Sequence, residues 1–103
     1  IVQGIGGALF EECLYSAEGQ LLNGSMADYL VPMAGEMPDI VVGHVETPTR
    51  TSELGAKGAG EAGTAGAPGA VMNAINDALA SLGANVSVQP FTPQRVLQAL
   101  GKI

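Results

Sequence analysis

The sequence has few aromatic residues, one cysteine and one histidine, and each shortage excludes a class of protein. Two Tyr and two Phe occur among 103 residues, and Trp is absent. A core of Ala, Val, Ile and Leu with so few rings is thin for a free-standing domain, which favours packing against something larger. Cys13 has no partner for an internal disulfide or a cysteine-rich metal centre, and we expect it to be buried. His44 lacks a Cys or His companion, so no metal site is expected.

Positive charge is also scarce. Four Lys and Arg stand singly against ten Asp and Glu, which gives a net charge of −6. Without a basic patch the chain is not expected to bind nucleic acid or an anionic membrane. No apolar run approaches the ~20 residues that span a bilayer, and no signal peptide is visible, so we expect a cytoplasmic location.

Glycine and alanine, by contrast, are concentrated in one stretch. They supply twelve of the sixteen residues from Gly55 to Ala70, and Lys57 and Glu61 are the only charged residues there. Backbone without side chains can approach a bulky ligand closely. A lone carboxylate in such a run is therefore a candidate catalytic group. The alternative is a flexible linker in which one charge maintains solvation.

The same stretch has the character of an anion site, because a loop of exposed amides leads toward a helix N-terminus. A phosphate or an oxygen-rich cofactor could bind there. Neither nucleotide fingerprint fits: the glycine spacing is wrong for a dinucleotide fold, and the phosphate-loop motif is absent. Lys57 is open to three interpretations, namely an ion pair with Glu61, neutralisation of a cofactor phosphate, or a solvated surface charge.

Three segments have the spacing or the terminal residues of helices. Residues 1–13 place apolar side chains at near-helical intervals, although three glycines each cost about 1 kcal/mol relative to alanine. Residues 68–82 begin with proline and carry an apolar stripe, and Gly83 ends them. Thr92 is expected to cap a last helix that ends at Gly101.

Shorter stretches predict strands. Residues 40–46 are the strongest candidate, because they are rich in β-branched side chains. The others are hairpin arms within residues 14–22, a short strand at residues 27–31, and a strand or extended connector at residues 85–89. The strands are expected to be antiparallel. The predicted class is therefore α+β: a Gly-rich N-terminal helix, short strands, a Gly/Ala-rich loop and two C-terminal helices in one domain over residues 1–103.

Five segments, in order, resemble the C-terminal part of large subunits of the xanthine dehydrogenase family, the molybdenum hydroxylases. The similarity is strongest in Gly-Ala-Lys-Gly-Ala-Gly-Glu-Ala-Gly-Thr, which resembles the active-site loop of the family's bacterial branch, including aerobic carbon monoxide dehydrogenases and related aromatic hydroxylases. The similar segments are residues 3–12, 28–32, 55–64, 68–82 and 92–96.

The resemblance implies a function for the Gly/Ala-rich loop. Family members hold molybdenum on a pterin, usually as molybdopterin cytosine dinucleotide in bacteria. A glutamate at the position of Glu61 acts as general base on an activated, water-derived oxygen. The backbone of Lys57, Gly58, Ala59 and Gly60 is expected to lie against the cofactor.

The resemblance also implies partners: the rest of a large subunit, iron–sulfur and flavin subunits or domains, and a small-molecule substrate. The substrate stays open among carbon monoxide, an aldehyde, a purine and an N-heterocycle. The sequence begins at Ile1 as if a helix were entered part-way, so we expect a piece of a longer subunit. Alone, it is expected to lack metal and activity and to self-associate through exposed apolar faces. A stand-alone, non-catalytic module of the same descent and an unrelated anion-binding domain are the alternatives.

Overall fold

The computed structural model describes residues 1–103 and contains three α-helices joined by irregular segments. Helix α1 spans Val2–Leu9, α2 spans Ala62–Ala80 and α3 spans Pro93–Ala99. A single 3-10 turn at Ala34–Glu36 interrupts the long connection between α1 and α2. No helix is both long enough and apolar enough to cross a membrane.

Helix α1 packs directly on the first half of α2, and glycine permits the close approach. A Cβ atom added to Gly4 would lie 2.8 Å from the Thr64 carbonyl oxygen and 2.8 Å from Ala67 Cβ. A Cβ atom added to Gly63 would lie 2.8 Å from the backbone nitrogen of Ile1. Gly4, although it lowers the helix propensity of α1, therefore makes its contact with α2 possible, and Gly63 does the same from the α2 side.

The core lies where α1, the end of α2 and the segment before α3 meet. Four apolar residues are buried there, and a ring of partly buried side chains surrounds them. The backbone N–H of Phe91 donates to the Ala8 carbonyl at 2.6 Å, which joins the end of α1 to the approach to α3. The buried apolar residues are Ala8, Leu79, Val86 and Phe91.

Asn76 on α2 pairs with the backbone of Val86 in the manner of a neighbouring strand. Its side-chain amide donates to the Val86 carbonyl at 2.9 Å and its side-chain oxygen accepts from the Val86 N–H at 2.8 Å. Both backbone groups of a buried residue are thereby satisfied. Residues 85–89 contain no strand, because residues 85–87 are irregular and residues 88–89 form a bend.

The second helix begins earlier than the sequence predicts. It starts at Ala62 rather than at Pro68, so the second half of the Gly/Ala-rich run is helix and not loop. Alanine is the best helix former, and alanines and glycines precede Pro68, which lies inside the helix and removes one of its hydrogen bonds. Helix α1 is shorter than predicted, since it ends at Leu9 rather than near Cys13.

The last helix agrees with its terminal signals. Thr92 caps α3, and its side-chain oxygen accepts from the backbone N–H of Arg95 at 3.3 Å, with Pro93 in the first helical position. Gly101 follows the helix with a φ of 64°, and Gly83 follows α2 with a φ of 67°. Both are left-handed positions that glycine occupies without steric cost.

The predicted strands do not form within this chain, so the α+β class is not confirmed. Residues 27–29 lie in a turn and bend stabilised by the Ser25 hydroxyl, which donates to Asp28 Oδ2 at 2.7 Å, and residues 30–31 have no regular structure. Residues 40–46 have no secondary structure. A strand needs a neighbour to pair its N–H and C=O groups, and this chain supplies none for residues 40–46.

One trace of β-structure remains at the predicted hairpin. Tyr15 and Leu21 form an isolated antiparallel bridge, and Gly19 turns the chain with a φ of 84°. Asn23 anchors its base, because its amide donates to the Glu12 carbonyl at 2.6 Å while its side-chain oxygen accepts from the Leu14 N–H at 2.8 Å. The predicted hairpin arms are therefore reduced to one bridge and form no ladder.

Few residues are buried, and much apolar surface is exposed. Only 7 of 103 residues are buried, while Val41 is 98% exposed, Val45 is 93% exposed and Leu54 is 90% exposed. Cys13 is exposed too, contrary to the expectation that it is buried, because α1 ends before reaching it. Exposed apolar area of this extent marks a surface suited to contact with other protein.

Candidate functional site

A compact loop precedes the glycine-rich segment; we call residues 47–57 the neck loop. Its two sides are joined by the Thr49 N–H, which donates to the Gly55 carbonyl at 3.0 Å. At its turn the Gly55 N–H donates to the Ser52 carbonyl at 3.1 Å, and the Ser52 hydroxyl donates to the Ala56 carbonyl at 3.0 Å. Gly55 has a φ of 69°, a backbone conformation that residues with a Cβ atom rarely adopt.

Lys57 closes the neck loop at its open end. Its ammonium group donates to Thr47 Oγ1 across 2.5 Å. The single ion pair of the structure joins Arg95 and Glu12, so Lys57 and Glu61 are not paired. The suggested Lys57–Glu61 ion pair is therefore wrong, because the neighbouring hydroxyl engages the ammonium instead.

Four consecutive residues follow, and we call residues 58–61 the amide run. None of their four backbone N–H groups donates a hydrogen bond to the protein, and all four residues are exposed. Glu61 is the last of them and stands immediately before the first residue of α2. Free N–H groups at the start of a helix attract anionic or oxygen-rich ligands.

Two shallow grooves flank the amide run. One of about 420 Å³ is lined by the amide run and the start of α2. The other, about 490 Å³, lies between the neck loop and the extended segment that carries His44, and Lys57 lines it as well. Both grooves are open, and the Glu61 side chain is exposed rather than enclosed. No group of three or more His, Cys, Asp or Glu side chains is arranged to hold a metal ion.

Comparison with known proteins places this geometry in context. Residues 1–38 match the family model of the molybdopterin cofactor-binding domain. The chain is 42% identical over 99 residues to the nicotine 6-hydroxylase large subunit of Paenarthrobacter nicotinovorans. It is 31% identical over 100 residues to the carbon monoxide dehydrogenase large chain of Hydrogenophaga pseudoflava. These alignments cover 96% and 97% of this chain, but 12% of each relative.

A solved structure has a closely similar fold over nearly the whole chain. Quinoline 2-oxidoreductase from Pseudomonas putida 86 superposes with a TM-score of 0.90 at 40% sequence identity, over 98% of this chain and 13% of that one. The chain belongs to the xanthine dehydrogenase family of molybdenum hydroxylase large subunits. It spans about an eighth of the length of these family members.

The amide run has a chemistry that can be compared with that of molybdopterin, the cofactor named for the matched domain. Unpartnered amides suit the oxygen-rich pterin and phosphate parts of a molybdopterin. Gly58 and Gly60 have open space where a Cβ atom would stand, so a flat ligand meets no side chain there. The donor set therefore fits the organic part of the cofactor.

The sequence and the structure differ on which side chains act together. Sequence reasoning named Glu61 and residues 57–60, and the structure brings them into one exposed segment. It missed Thr47, which directly follows the predicted strand at residues 40–46. A threonine ten residues before a lysine is a weak signal without the turn at Gly55 that brings them together.

Proposed function

We propose that this chain forms part of the molybdenum-cofactor site of an oxidoreductase large subunit, as its C-terminal domain over residues 1–103. The enzyme hydroxylates or oxidises a small substrate with water-derived oxygen, and Glu61 is its general base. One observation carries the proposal: in a member of this family, a single carboxylate follows three unpartnered amides at the start of a helix.

The amide run holds the cofactor in this proposal. The N–H groups of Gly58, Ala59 and Gly60 donate to its oxygen atoms, and the missing side chains leave room for the ring system. The family's bacterial form, molybdopterin cytosine dinucleotide, is the proposed cofactor. When bound, it supplies the two-electron redox chemistry of the reaction.

Glu61 moves the proton. One of its carboxylate oxygens accepts a proton from the water-derived oxygen as the substrate carbon is attacked, which raises the nucleophilicity of that oxygen. Glu61 is exposed in this chain, so the role requires that another segment of the large subunit cover the groove and exclude bulk water. The exposed apolar surface beside the groove, including Leu54 and Val45, is suited to that contact.

The proposed partners follow from the same reasoning. The remainder of the large subunit completes the pocket, and iron–sulfur and flavin subunits or domains remove the electrons. The substrate belongs to the group of carbon monoxide, aldehydes, purines and N-heterocycles, and a cytoplasmic location is proposed with them. The chain alone is proposed to be inactive and free of metal, because the amide run offers only one side of a cofactor site.

Replacement of Glu61 in the complete enzyme tests the base assignment. Glu61→Gln keeps the shape of the side chain but cannot accept the proton, so we expect kcat to fall by about 10²- to 10⁴-fold. Molybdenum and pterin content, measured by elemental and nucleotide analysis, is expected to stay near that of the parent enzyme.

Glu53→Gln is the matched control, because Glu53 is an exposed glutamate of the neck loop whose side chain contacts no hydrogen-bond partner. It removes the same charge and should leave kcat unchanged. Full activity of Glu61→Gln at saturating substrate would refute the base role, and a parallel loss of molybdenum would reassign Glu61 to cofactor binding.

A further inference from the structure

We propose that Lys57 is a positioning residue, which fixes the amide run and Glu61 through its hydrogen bond to Thr47. This inference rests on the proposed function of Glu61 but assigns Lys57 a different role from a contact with the cofactor. The Lys57–Thr47 hydrogen bond closes the neck loop, and the closed loop determines where the amide run begins.

The hydrogen bonds that hold the neck loop all join residues within it. Thr49 and Gly55 are joined through their backbones, and the Ser52 hydroxyl reaches the Ala56 carbonyl. Pro48 packs against Gly55, where an added Cβ atom would lie 3.0 Å from Pro48 Cβ. Each contact orients the two sides of the loop, and the Lys57–Thr47 hydrogen bond is the last one before the chain leaves it.

Lys57 is therefore the final tethered residue before Glu61. Between them lie only Gly58, Ala59 and Gly60, which make no hydrogen bond to any residue that precedes them. On the far side, the first contacts belong to α2: the Ala62 N–H donates to the Ala59 carbonyl at 3.3 Å and the Ala65 N–H to the Glu61 carbonyl at 2.8 Å. Two glycines in so short a span leave its path undetermined unless both ends are held.

The chemistry of the pair suits this role. An ammonium–hydroxyl hydrogen bond is charge-assisted and stronger than a neutral one, and no carboxylate competes for Lys57. The bond joins residues ten positions apart in the sequence, so it restrains the whole loop. If Lys57 instead neutralised a cofactor phosphate, Thr47 would have no part in its function.

A double-mutant cycle in the complete molybdenum enzyme separates these two roles. Lys57→Met removes the ammonium but keeps most of the stem, Thr47→Val removes the hydroxyl at nearly constant shape, and the third variant combines them. The readouts are kcat, molybdenum content, and hydrogen exchange of the backbone amides in residues 55–62.

We expect each single substitution to speed exchange of the hydrogen-bonded Gly55 and Ala62 amides, at the two ends of this segment, by roughly 3- to 10-fold, as for the loss of one exposed, charge-assisted hydrogen bond. The same substitutions should lower kcat by a similar factor at unchanged molybdenum content. The double variant should be no worse than either single one, because both remove the same bond. Thr47→Ser, which keeps the hydroxyl, should restore the parent exchange rate.

Arg50→Met is the matched control, since it removes a positive charge from the tip of the same loop, where Arg50 makes no side-chain hydrogen bond. It should alter neither exchange nor kcat. Additive effects of Lys57→Met and Thr47→Val would overturn the inference. A loss of molybdenum on Lys57→Met alone would also overturn it, in favour of a cofactor contact.

The exchange measurement keeps this inference distinct from the base assignment. If Glu61→Gln remained active while the exchange cycle was non-additive, the base role of Glu61 would fail and the positioning role of Lys57 would stand. If Glu61→Gln abolished turnover while Lys57→Met and Thr47→Val left exchange unchanged, the positioning role would fail alone.

Discussion

Tyr29 illustrates how a single side chain reports on its surroundings. Its phenol donates to Glu11 Oε2 at 2.9 Å. This hydrogen bond is the largest influence on Tyr29, followed by partial burial and by the negative charge of Glu11, and together they raise the pKa of Tyr29 above its ordinary value of 10.0. The fold therefore favours the neutral phenol, so this contribution to stability is complete below about pH 10 and disappears as the pH rises through the raised pKa.

Ultraviolet titration of the tyrosinate absorbance tests this effect. Glu11→Gln keeps a hydrogen-bond acceptor but removes the charge, so we expect the Tyr29 pKa to fall back toward 10.0. Tyr29→Phe identifies which of the two tyrosine transitions belongs to Tyr29. A titration curve that Glu11→Gln leaves unchanged would show that Glu11 does not hold the phenol proton.

At the same scale, the sequence identified the carboxylate of the candidate site but not the Lys57–Thr47 hydrogen bond beside it. Glu61 is conspicuous because it is one of two charges in a run of glycine and alanine, and that property is local. Thr47 becomes a neighbour of Lys57 only because the chain turns at Gly55. Contacts made by folding are not readable from residue types, and this is why the suggested Lys57–Glu61 pair was wrong.

At the scale of elements, the contact between α1 and α2 depends on Gly4. Gly4→Ala would place a methyl group 2.8 Å from the Thr64 carbonyl oxygen, which is backbone and cannot move cheaply. The strain should exceed the gain of about 1 kcal/mol in helix propensity, with a net loss of about 1–2 kcal/mol in the free energy of unfolding. Thermal unfolding of the protein that carries the chain measures the loss.

Gly7→Ala supplies the comparison within the same helix. An added Cβ atom at Gly7 has no neighbour within 4 Å. The substitution should therefore stabilise the protein by up to about 1 kcal/mol through helix propensity alone. Equal effects of the two substitutions would contradict the close packing of α1 on α2.

Capping residues were more predictable than the extent of the helices in this chain. Thr92, Gly83 and Gly101 act through their own backbone geometry, and all three behave as the sequence indicates. The start of α2 was misplaced because Pro68 was interpreted as its first turn, whereas helical alanines precede it from Ala62. Proline favours the first turn of a helix, so the signal at Pro68 was sound in general but did not mark the start here.

At the scale of the whole molecule, the predicted strands do not form because they have no pairing partner within the chain. Residues 40–46 have the composition of a strand, yet strand formation depends on a partner that lies elsewhere. Val41 and Val45 are almost completely exposed and contact little of this chain. Sequence composition thus describes a preference that these 103 residues cannot satisfy among themselves.

That unsatisfied preference predicts self-association of the isolated chain. A net charge of −6 opposes it, while exposed, unpaired β-branched residues favour edge-to-edge pairing. We expect light scattering to show an apparent mass that grows with concentration, and Val41→Lys with Val45→Lys to lower it. Glu53→Lys, which adds positive charge away from this segment, should have a smaller effect. A clean monomer at high concentration would contradict the prediction.

The neck loop makes no hydrogen bond to any of the three helices, and its contacts lie among its own residues. Its tip around Arg50 and Glu53 is therefore free to diverge in descendants of this gene without loosening the helical base.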